Sequence, residues 1–496
     1  MVRQVLERKS VAIGGVLICF VAAIGPDANA ASQSASAVQP ARRPNVLFVF
    51  SDMQRAYSMG CYGDRNARTP TFDALAKQGA RFDVAISNTP VCCPYRACLM
   101  SGQYAHHHGV VSNQVTFRPT VPCMAETFRA AGYATGYSGK WHIKSPRDAG
   151  RELRYGFPAA GTDFGFYKTD RKSANVTDVA LRFIKAKSAQ QAPWFLVVSW
   201  ILPHVPYRAP AGYREHFRNI ELPPNVPAGR ATDFARQNLP EYYGMIESLD
   251  DEFKRLLAAL RAAGVAEDTI VVYTSDHGDM IGCQGLKAKR WPHDQSARVP
   301  LLMRYPRSIR PGTVVETPFG ATDIYPTLAG LAGVTAPKNL DGLDFAPLIR
   351  GETATPPRDY VYLEMPYAYV PWPGWRAIRT QRYMYARTQD KPWLLFDLKN
   401  DPWEMENLVT SPDATALVKS LDRRLTSIMQ QSGDSWQYRA EDGDLRNWLP
   451  GGGKQRSQSE LGAEWPGKGF HGIARKASQG KNARRGKKGR TKRPNK

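Results

Sequence analysis

Three short, uninterrupted apolar runs constrain this chain most. They lie at residues 44–51 (Pro-Asn-Val-Leu-Phe-Val-Phe-Ser), 194–200 (Trp-Phe-Leu-Val-Val-Ser-Trp) and 269–274 (Thr-Ile-Val-Val-Tyr-Thr). A strand with one wet face alternates apolar and polar residues. A continuous run of β-branched and aromatic residues needs cover on both faces, as in a parallel sheet. Helical patterns separate the runs, at residues 71–80, at 124–131 before Gly132, and at 245–263 before Gly264. Glycine just past an apolar period is a stop signal. The pattern predicts an α/β fold with a large mixed, mainly parallel sheet sandwiched by helices. Composition changes near Thr353-Ala354-Thr355-Pro356-Pro357. Beyond it, residues 359–364, 375–388 and 394–397 read as strands and 414–431 as a helix. We expect a main domain over 42–352 and a smaller C-terminal α+β part over 353–450 carrying an antiparallel sheet. The 496 residues suffice for both.

The two ends read differently. Arg3, Arg8 and Lys9 precede an apolar stretch from Val11 to Ile24, and Ala28-Asn29-Ala30 follows. This is the form of a bacterial export signal, with cleavage expected after Ala30, so that residues 1–30 are removed and the protein is periplasmic or secreted. The stretch is shorter than the ~20 residues of a membrane span. At the other end, residues 451–496 are rich in Gly, Lys and Arg and predict little order. More than half of the +22 net charge lies in residues 468–496, which hold twelve Lys and Arg and no acid. Such a tail suits contact with a polyanion. Export argues against nucleic acid as that partner. Six cysteines remain after cleavage, Cys61, Cys92, Cys93, Cys98, Cys123 and Cys283, and export makes disulfides available to them.

Chemistry-bearing residues gather near the predicted strand ends. The first run continues into Asp52, and the third into Ser275-Asp276-His277-Gly278-Asp279. In open α/β sheets, sites form beyond the carboxyl ends of the strands. Between these acids come Cys92-Cys93-Pro94-Tyr95-Arg96, where Pro94 suits a first helical turn, and Gly139-Lys140-Trp141-His142. On extended chain, Lys140 and His142 share a face. His204 sits between Pro203 and Pro206, on a loop that proline stiffens. Lys287, Lys289 and Arg290 follow the Asp276 loop. Each feature alone has an ordinary reading as a cap, a bonded histidine or a solvated charge.

Their order resembles the type I sulfatases of the alkaline phosphatase superfamily. Cys92-x-Pro94-x-Arg96 followed by Ser101-Gly102 is similar to that family's first signature. Gly132-Tyr133-x-Thr135 through Gly139-Lys140-Trp141-His142 is similar to the second. Pro203-His204-Val205-Pro206-Tyr207 and Lys289 with Asp294, Arg298 and Pro300 are similar to later segments. The resemblance spans residues 44 to 409.

It implies an alkaline-phosphatase-like fold and a specific chemistry. Cys92 is oxidised to formylglycine by a formylglycine-generating enzyme, and the aldehyde hydrate is the nucleophile. Arg96, Lys140 and Lys289 offset charge on the sulfuryl oxygens. His204, with Lys289, protonates the leaving oxygen, and His142 takes the proton that releases sulfate. One divalent cation, Ca2+ in the usual case, is held by Asp52, the converted Cys92, Asp276 and His277. His277 stands where Asn is common, so Mg2+ and Mn2+ stay open. Met53 replaces a second acid, leaving either Gln54 as an oxygen donor or a smaller ligand set. Tyr95 replaces the commonest Ser, His293 replaces Tyr, and Lys287 is the alternative to Lys289.

The implied activity is hydrolysis of sulfate monoesters, on a small molecule or, favoured by export and charge, a sulfated carbohydrate. The alternatives are a phosphonate monoester or phosphodiester hydrolase and a non-catalytic protein that binds sulfated polysaccharide. Arg55, Arg208, His106, His107 and His108 are candidates to line a sugar pocket.

Overall fold

In the computed structural model the described residues are 43–145, 153–158, 165–166, 171–365 and 374–436. The export signal and the basic tail lie outside them.

The first apolar run forms the strand Asn45–Ser51, and all of it is buried. Its alternate side chains enter two different cores. Val46, Phe48 and Phe50 pack in one, and Leu47 and Val49 in the other. Trp194–Ser199 and Thr269–Ser275 divide in the same way, with Phe195, Val197, Ile270 and Val272 on the first side and Leu196, Val198, Val271 and Tyr273 on the second. Burial on both faces explains why these runs do not alternate.

Eight strands form the main sheet, in the order Thr313–Val315, Ala80–Phe82, Leu301–Arg304, Thr269–Ser275, Asn45–Ser51, Trp194–Ser199, Ala134–Gly139 and Gly165–Phe166. The five strands from Thr269–Ser275 to Gly165–Phe166 are parallel, and Leu301–Arg304 runs against both of its neighbours. The helices Cys92–Ser101, Met124–Ala130 and Ala321–Ala332 contribute to the first core. Pro70–Gln78, Ser173–Ser188 and Arg230–Ala262 contribute to the second.

Two elements differ from expectation. The long helix begins at Arg230, not near residue 245, and runs through Pro240. A proline inside a helix costs about 3 kcal/mol. Here Ala235, Leu239, Tyr242, Tyr243 and Ile246 on either side of it share a buried cluster with Phe217 and Ile281, and this packing offsets the lost bond. Residues 375–388 are two strands, Trp375–Thr380 and Tyr383–Thr388, joined at Gln381-Arg382. The turn lacks Gly, Pro and Asn, so the sequence carried no break there. Instead the Tyr383 N–H donates to Thr380 Oγ1 at 2.8 Å.

The second sheet is antiparallel, in the order Tyr360–Met365, Trp375–Thr380, Tyr383–Thr388 and Pro392–Asp397. One face packs on Val84, Ile86, Val91 and Ala297 of the main part. The other carries Tyr362, Ile378, Tyr385 and Leu395 against the helix Thr415–Gln431. None of the six described cysteines is in a disulfide. Among the described residues no helix is long and apolar enough to cross a membrane.

Candidate active site

Parallel pairing brings the strand ends to one rim. Ser51 is in register with Ser275, Phe50 with Ser199, and Ser199 with Gly139. The residues that follow are therefore neighbours: Asp52 after the first strand, Asp276 and His277 after Thr269–Ser275, Lys140 after Ala134–Gly139, and His204 on the loop beyond Trp194–Ser199. A backbone bond from the Asp52 N–H to the Leu202 carbonyl, 3.2 Å, ties that loop to the rim.

Cys92 is the first residue of the helix Cys92–Ser101, and Arg96 lies one turn on, on the same side. The Cys92 Sγ is 2.7 Å from Lys289 Nζ, 3.3 Å from His277 Nε2, 3.6 Å from Lys140 Nζ and 3.8 Å from Asp52 Oδ1. Lys289 Nζ is also 3.5 Å from His204 Nε2. Arg96 is buried, and both of its terminal nitrogens are engaged. It donates to Asp52 Oδ2 and Asp276 Oδ2, each at 3.2 Å, to the Lys140 carbonyl at 2.6 Å and to Ser199 Oγ at 2.8 Å. Its guanidinium lies 4.6 Å from the centre of the Phe50 ring. Lys140 donates to Asp52.

The charges follow from this packing. Burial pushes the Cys92 thiol up, but Lys140, Lys289, His277 and His142 outweigh it and hold the group well below the usual thiol range. The helix N-terminus acts in the same direction. Burial and the Cys92 charge push Asp52 up, while Lys140, Lys289 and His204 hold it below the usual carboxylate range. Asp276 is raised, because burial and the charge on Asp52 outweigh His277 and Arg96. Burial lowers His204, but Cys92 and Asp52 raise it overall. The centre is thus a buried anionic position ringed by cations.

All six expected catalytic positions converge. Lys289 is the lysine at the site, since Lys287 instead lies 4.1 Å over the Phe234 ring. His142 is exposed and has a positive φ of 54°, so the chain leaves extended geometry there; proximity to Cys92, not strand alternation, brings it to the site.

Asp52, Cys92, Asp276 and His277 each offer a ligand atom, and these atoms all lie within 4.8 Å of one another. Gln54 is otherwise engaged. Its amide oxygen accepts from Ser51 Oγ at 3.0 Å and from the Tyr273 hydroxyl at 2.6 Å, which takes up both lone pairs. Met53 has a positive φ of 70°, and its N–H donates to Asp276 Oδ1 at 3.1 Å. Of the two alternatives, the geometry is compatible with the smaller donor set.

The expected sugar-pocket residues mostly belong to the interior. Arg55 is buried, with Nη1 3.5 Å from Cys283 Sγ. His108 is buried against Cys98 at 3.3 Å, His106 pairs with Glu364, and His107 meets Asp341 at 2.7 Å. Arg208 is exposed. His293 is buried, which pushes its pKa down to about 4. Asp294 makes two 3.0 Å bonds to Arg379 on the second sheet. Sequence reasoning missed Ser199, which receives Arg96, and Tyr137, whose hydroxyl donates to the Lys140 carbonyl at 2.6 Å. Ser199 carried a faint signal as a polar residue closing an apolar strand.

Comparison with known proteins agrees with this geometry. Residues 44–334 match the Sulfatase family, and residues 282–431 match the family described as N-sulphoglucosamine sulphohydrolase, C-terminal. An ulvan-active sulfatase of Formosa agariphila is 33% identical over 426 residues, covering 80% of this chain and 83% of its own. An N-acetylglucosamine-6-O-sulfatase of Bacteroides thetaiotaomicron is 25% identical, covering 79% of this chain and 88% of its own. The crystal structure of YidJ from Bacteroides fragilis superposes with a TM-score of 0.71 at 25% identity, covering 81% of this chain and 98% of that one. The sheet order, the ringed Cys92 and these matches lead to one assignment: the chain belongs to the sulfatase family, as a sulfuric ester hydrolase of the alkaline phosphatase superfamily.

Proposed function

We propose that this sulfuric ester hydrolase is exported and removes sulfate from a sulfated carbohydrate, using a formylglycine made from Cys92 and one divalent cation. The observation that carries the reading is the position of Cys92 at a helix N-terminus, within 4 Å of Lys289, His277, Lys140 and Asp52. The sugar preference is supported by the N-acetylglucosamine-6-O-sulfatase relative and by the match to the sulphoglucosamine family. Export rests on residues 1–30.

The donor set fits a hard or intermediate cation. Two carboxylates, one imidazole and an oxygen at position 92 suit Ca2+, Mg2+ or Mn2+. Asp52, Asp276, His277 and the converted Cys92 would hold it. When bound, the cation would offset charge on the sulfate oxygens and favour the ionised nucleophile. Formylglycine would supply an oxygen nucleophile as its hydrate, splitting one difficult step into two.

The remaining work falls to side chains. Arg96 is held by four acceptors, so its charge is fixed before substrate arrives, which is preorganised stabilisation. Lys140 and Lys289 flank position 92 and bind the sulfate oxygens. His204 meets the Val205 carbonyl through Nδ1 at 2.8 Å, which turns Nε2 towards Lys289 and the site. From Nε2 it gives a proton to the leaving oxygen. His142, exposed beside Cys92, takes the proton that accompanies sulfate release and passes it to solvent.

The test is peptide mass spectrometry on protein from a host with the maturation enzyme. Trypsin releases the peptide from Phe82 to Arg96. An aldehyde in place of the Cys92 thiol is the expected result. Cys92→Ala should then abolish turnover of an aryl sulfate with an unchanged melting temperature. Unconverted Cys92, or a Cys92→Ala variant with full activity, would refute the mechanism. Faster turnover of an aryl phosphodiester than of the aryl sulfate would give the phosphonate-hydrolase alternative. Binding of sulfated polysaccharide without sulfate release would give the binding-protein alternative.

A further inference from the structure

The loop that presents His204 is held at its two ends, by the Asp52–Leu202 backbone bond and by the Tyr207 hydroxyl, which donates to Asp279 Oδ2 at 2.6 Å. His204 is at a loop turn, its N–H donates to the Ile201 carbonyl at 2.9 Å, and Val205 and Pro206 are exposed. One distant side chain, Arg171, grips the carbonyls between those ends. Arg171 Nη1 donates to the His204 carbonyl at 3.1 Å and to the Val205 carbonyl at 3.3 Å. Its Nη2 donates to the Pro206 carbonyl at 2.6 Å and meets Met245 Sδ at 3.7 Å. One guanidinium thus spans three consecutive carbonyls and anchors them to the long helix Arg230–Ala262.

The central carbonyl matters most, because the Val205 oxygen also accepts from His204 Nδ1. Donating from Nδ1 to that oxygen fixes which ring nitrogen carries the hydrogen there and which way the ring turns. Nε2 is then directed at Lys289 Nζ, 3.5 Å away, and Asp52 Oδ1, 3.9 Å away. Only a planar fork with several donors can span three carbonyls at once; a lysine has one nitrogen.

We propose that Arg171 is a positioning residue for catalysis: by holding the Val205 carbonyl, it keeps the His204 Nδ1–H engaged there and directs Nε2, which carries the proton to be given when the ring is an imidazolium, at the leaving oxygen. The proposal rests on the sulfatase reading above and adds a residue outside all of the recognised segments. It makes a distinctive kinetic demand. A good leaving group needs no acid, and a poor one does. Loss of the clamp should therefore grow as the leaving group worsens.

The experiment measures kcat/KM for 4-nitrophenyl sulfate and for phenyl sulfate, in the unaltered enzyme, Arg171→Met, Arg171→Lys and His204→Ala. Melting temperatures are recorded for all four proteins. Arg171→Met removes the donors and keeps the apolar stem. We expect it to lose on the order of 10- to 100-fold with phenyl sulfate, in the range typical for loss of an orienting hydrogen bond, and only a few-fold with 4-nitrophenyl sulfate. Arg171→Lys should recover part of the loss, and His204→Ala should show the same trend, larger. Equal losses on both substrates would overturn the proposal and reduce Arg171 to a stabilising contact. So would no loss on either, or a His204→Ala profile independent of the leaving group. Failure of the unaltered enzyme to cleave either sulfate ester, with Cys92 unconverted in its peptide mass, would instead refute the formylglycine reading, and the clamp proposal with it.

Discussion

His106 has an acceptor at each ring nitrogen. Nδ1 is 3.0 Å from the Glu364 carboxylate, and Nε2 is 3.0 Å from the Ser432 carbonyl. Only the doubly protonated ring satisfies both. Glu364 and Asp434 face it from the second sheet and from the end of the last helix, and Tyr104, His107 and Tyr362 pack around it. Burial works against the charged ring, but Glu364 and Asp434 raise its pKa to about 9. Asp434 is itself doubly bonded to Arg376, so the group is a closed polar network, although its ligand atoms lie within metal-binding reach. A raised histidine stabilises the fold fully below its unfolded value near 6.5 and loses that contribution as pH rises through about 9. His106→Gln should thus cost about 3 kcal/mol more at pH 6 than at pH 10, from the size of the shift. Thermal melts across that range measure it. A penalty that does not change with pH would remove the charge from the explanation.

At the scale of elements, the close approach of two strands sets where Lys140 stands. Gly139 has φ 111°, and a Cβ there would lie 2.0 Å from the Ser199 carbonyl oxygen. The next N–H, of Lys140, donates to that same oxygen at 2.8 Å. A side chain at 139 meets both an unfavourable backbone conformation and a backbone wall that cannot yield without parting the strands. Gly139→Ala should destabilise by about 3 kcal/mol or more. It should also displace Lys140 and cut turnover in whatever protein still folds. Urea unfolding and kcat on an aryl sulfate test both halves, and a loss under about 1 kcal/mol would show that the strands can part easily. The long helix shows the same dominance of packing over local preference, since Pro240 lies within it and stays helical among buried Tyr242, Tyr243 and Leu239.

For the molecule as a whole, the charge is lopsided, with twelve Lys and Arg and no acid in residues 468–496. Deleting that segment should leave kcat/KM for a small aryl sulfate within about twofold and lower the salt needed to elute the protein from immobilised heparin, because loss of cationic contacts weakens polyanion binding and its salt dependence. Unchanged elution would leave the tail without a polyanion role. Such charge is legible in sequence because it needs no folding. So were the apolar runs, whose continuity demands cover on both faces, and the ordered segments around Cys92, Lys140, His204 and Asp276, whose order carries the family resemblance. What sequence left open turned on distances between residues remote in the chain. Lys289 and Lys287 are two positions apart, yet only one reaches Cys92, because backbone direction decides where a long side chain ends. Gln54 was free to be a ligand until Ser51 and Tyr273 claimed its oxygen. Arg55 and the three histidines looked available for a sugar, and the core took all but the half-exposed His107. Arg171 had no signal at all, since its worth lies in three carbonyls more than thirty residues away that only the closed fold brings within its reach.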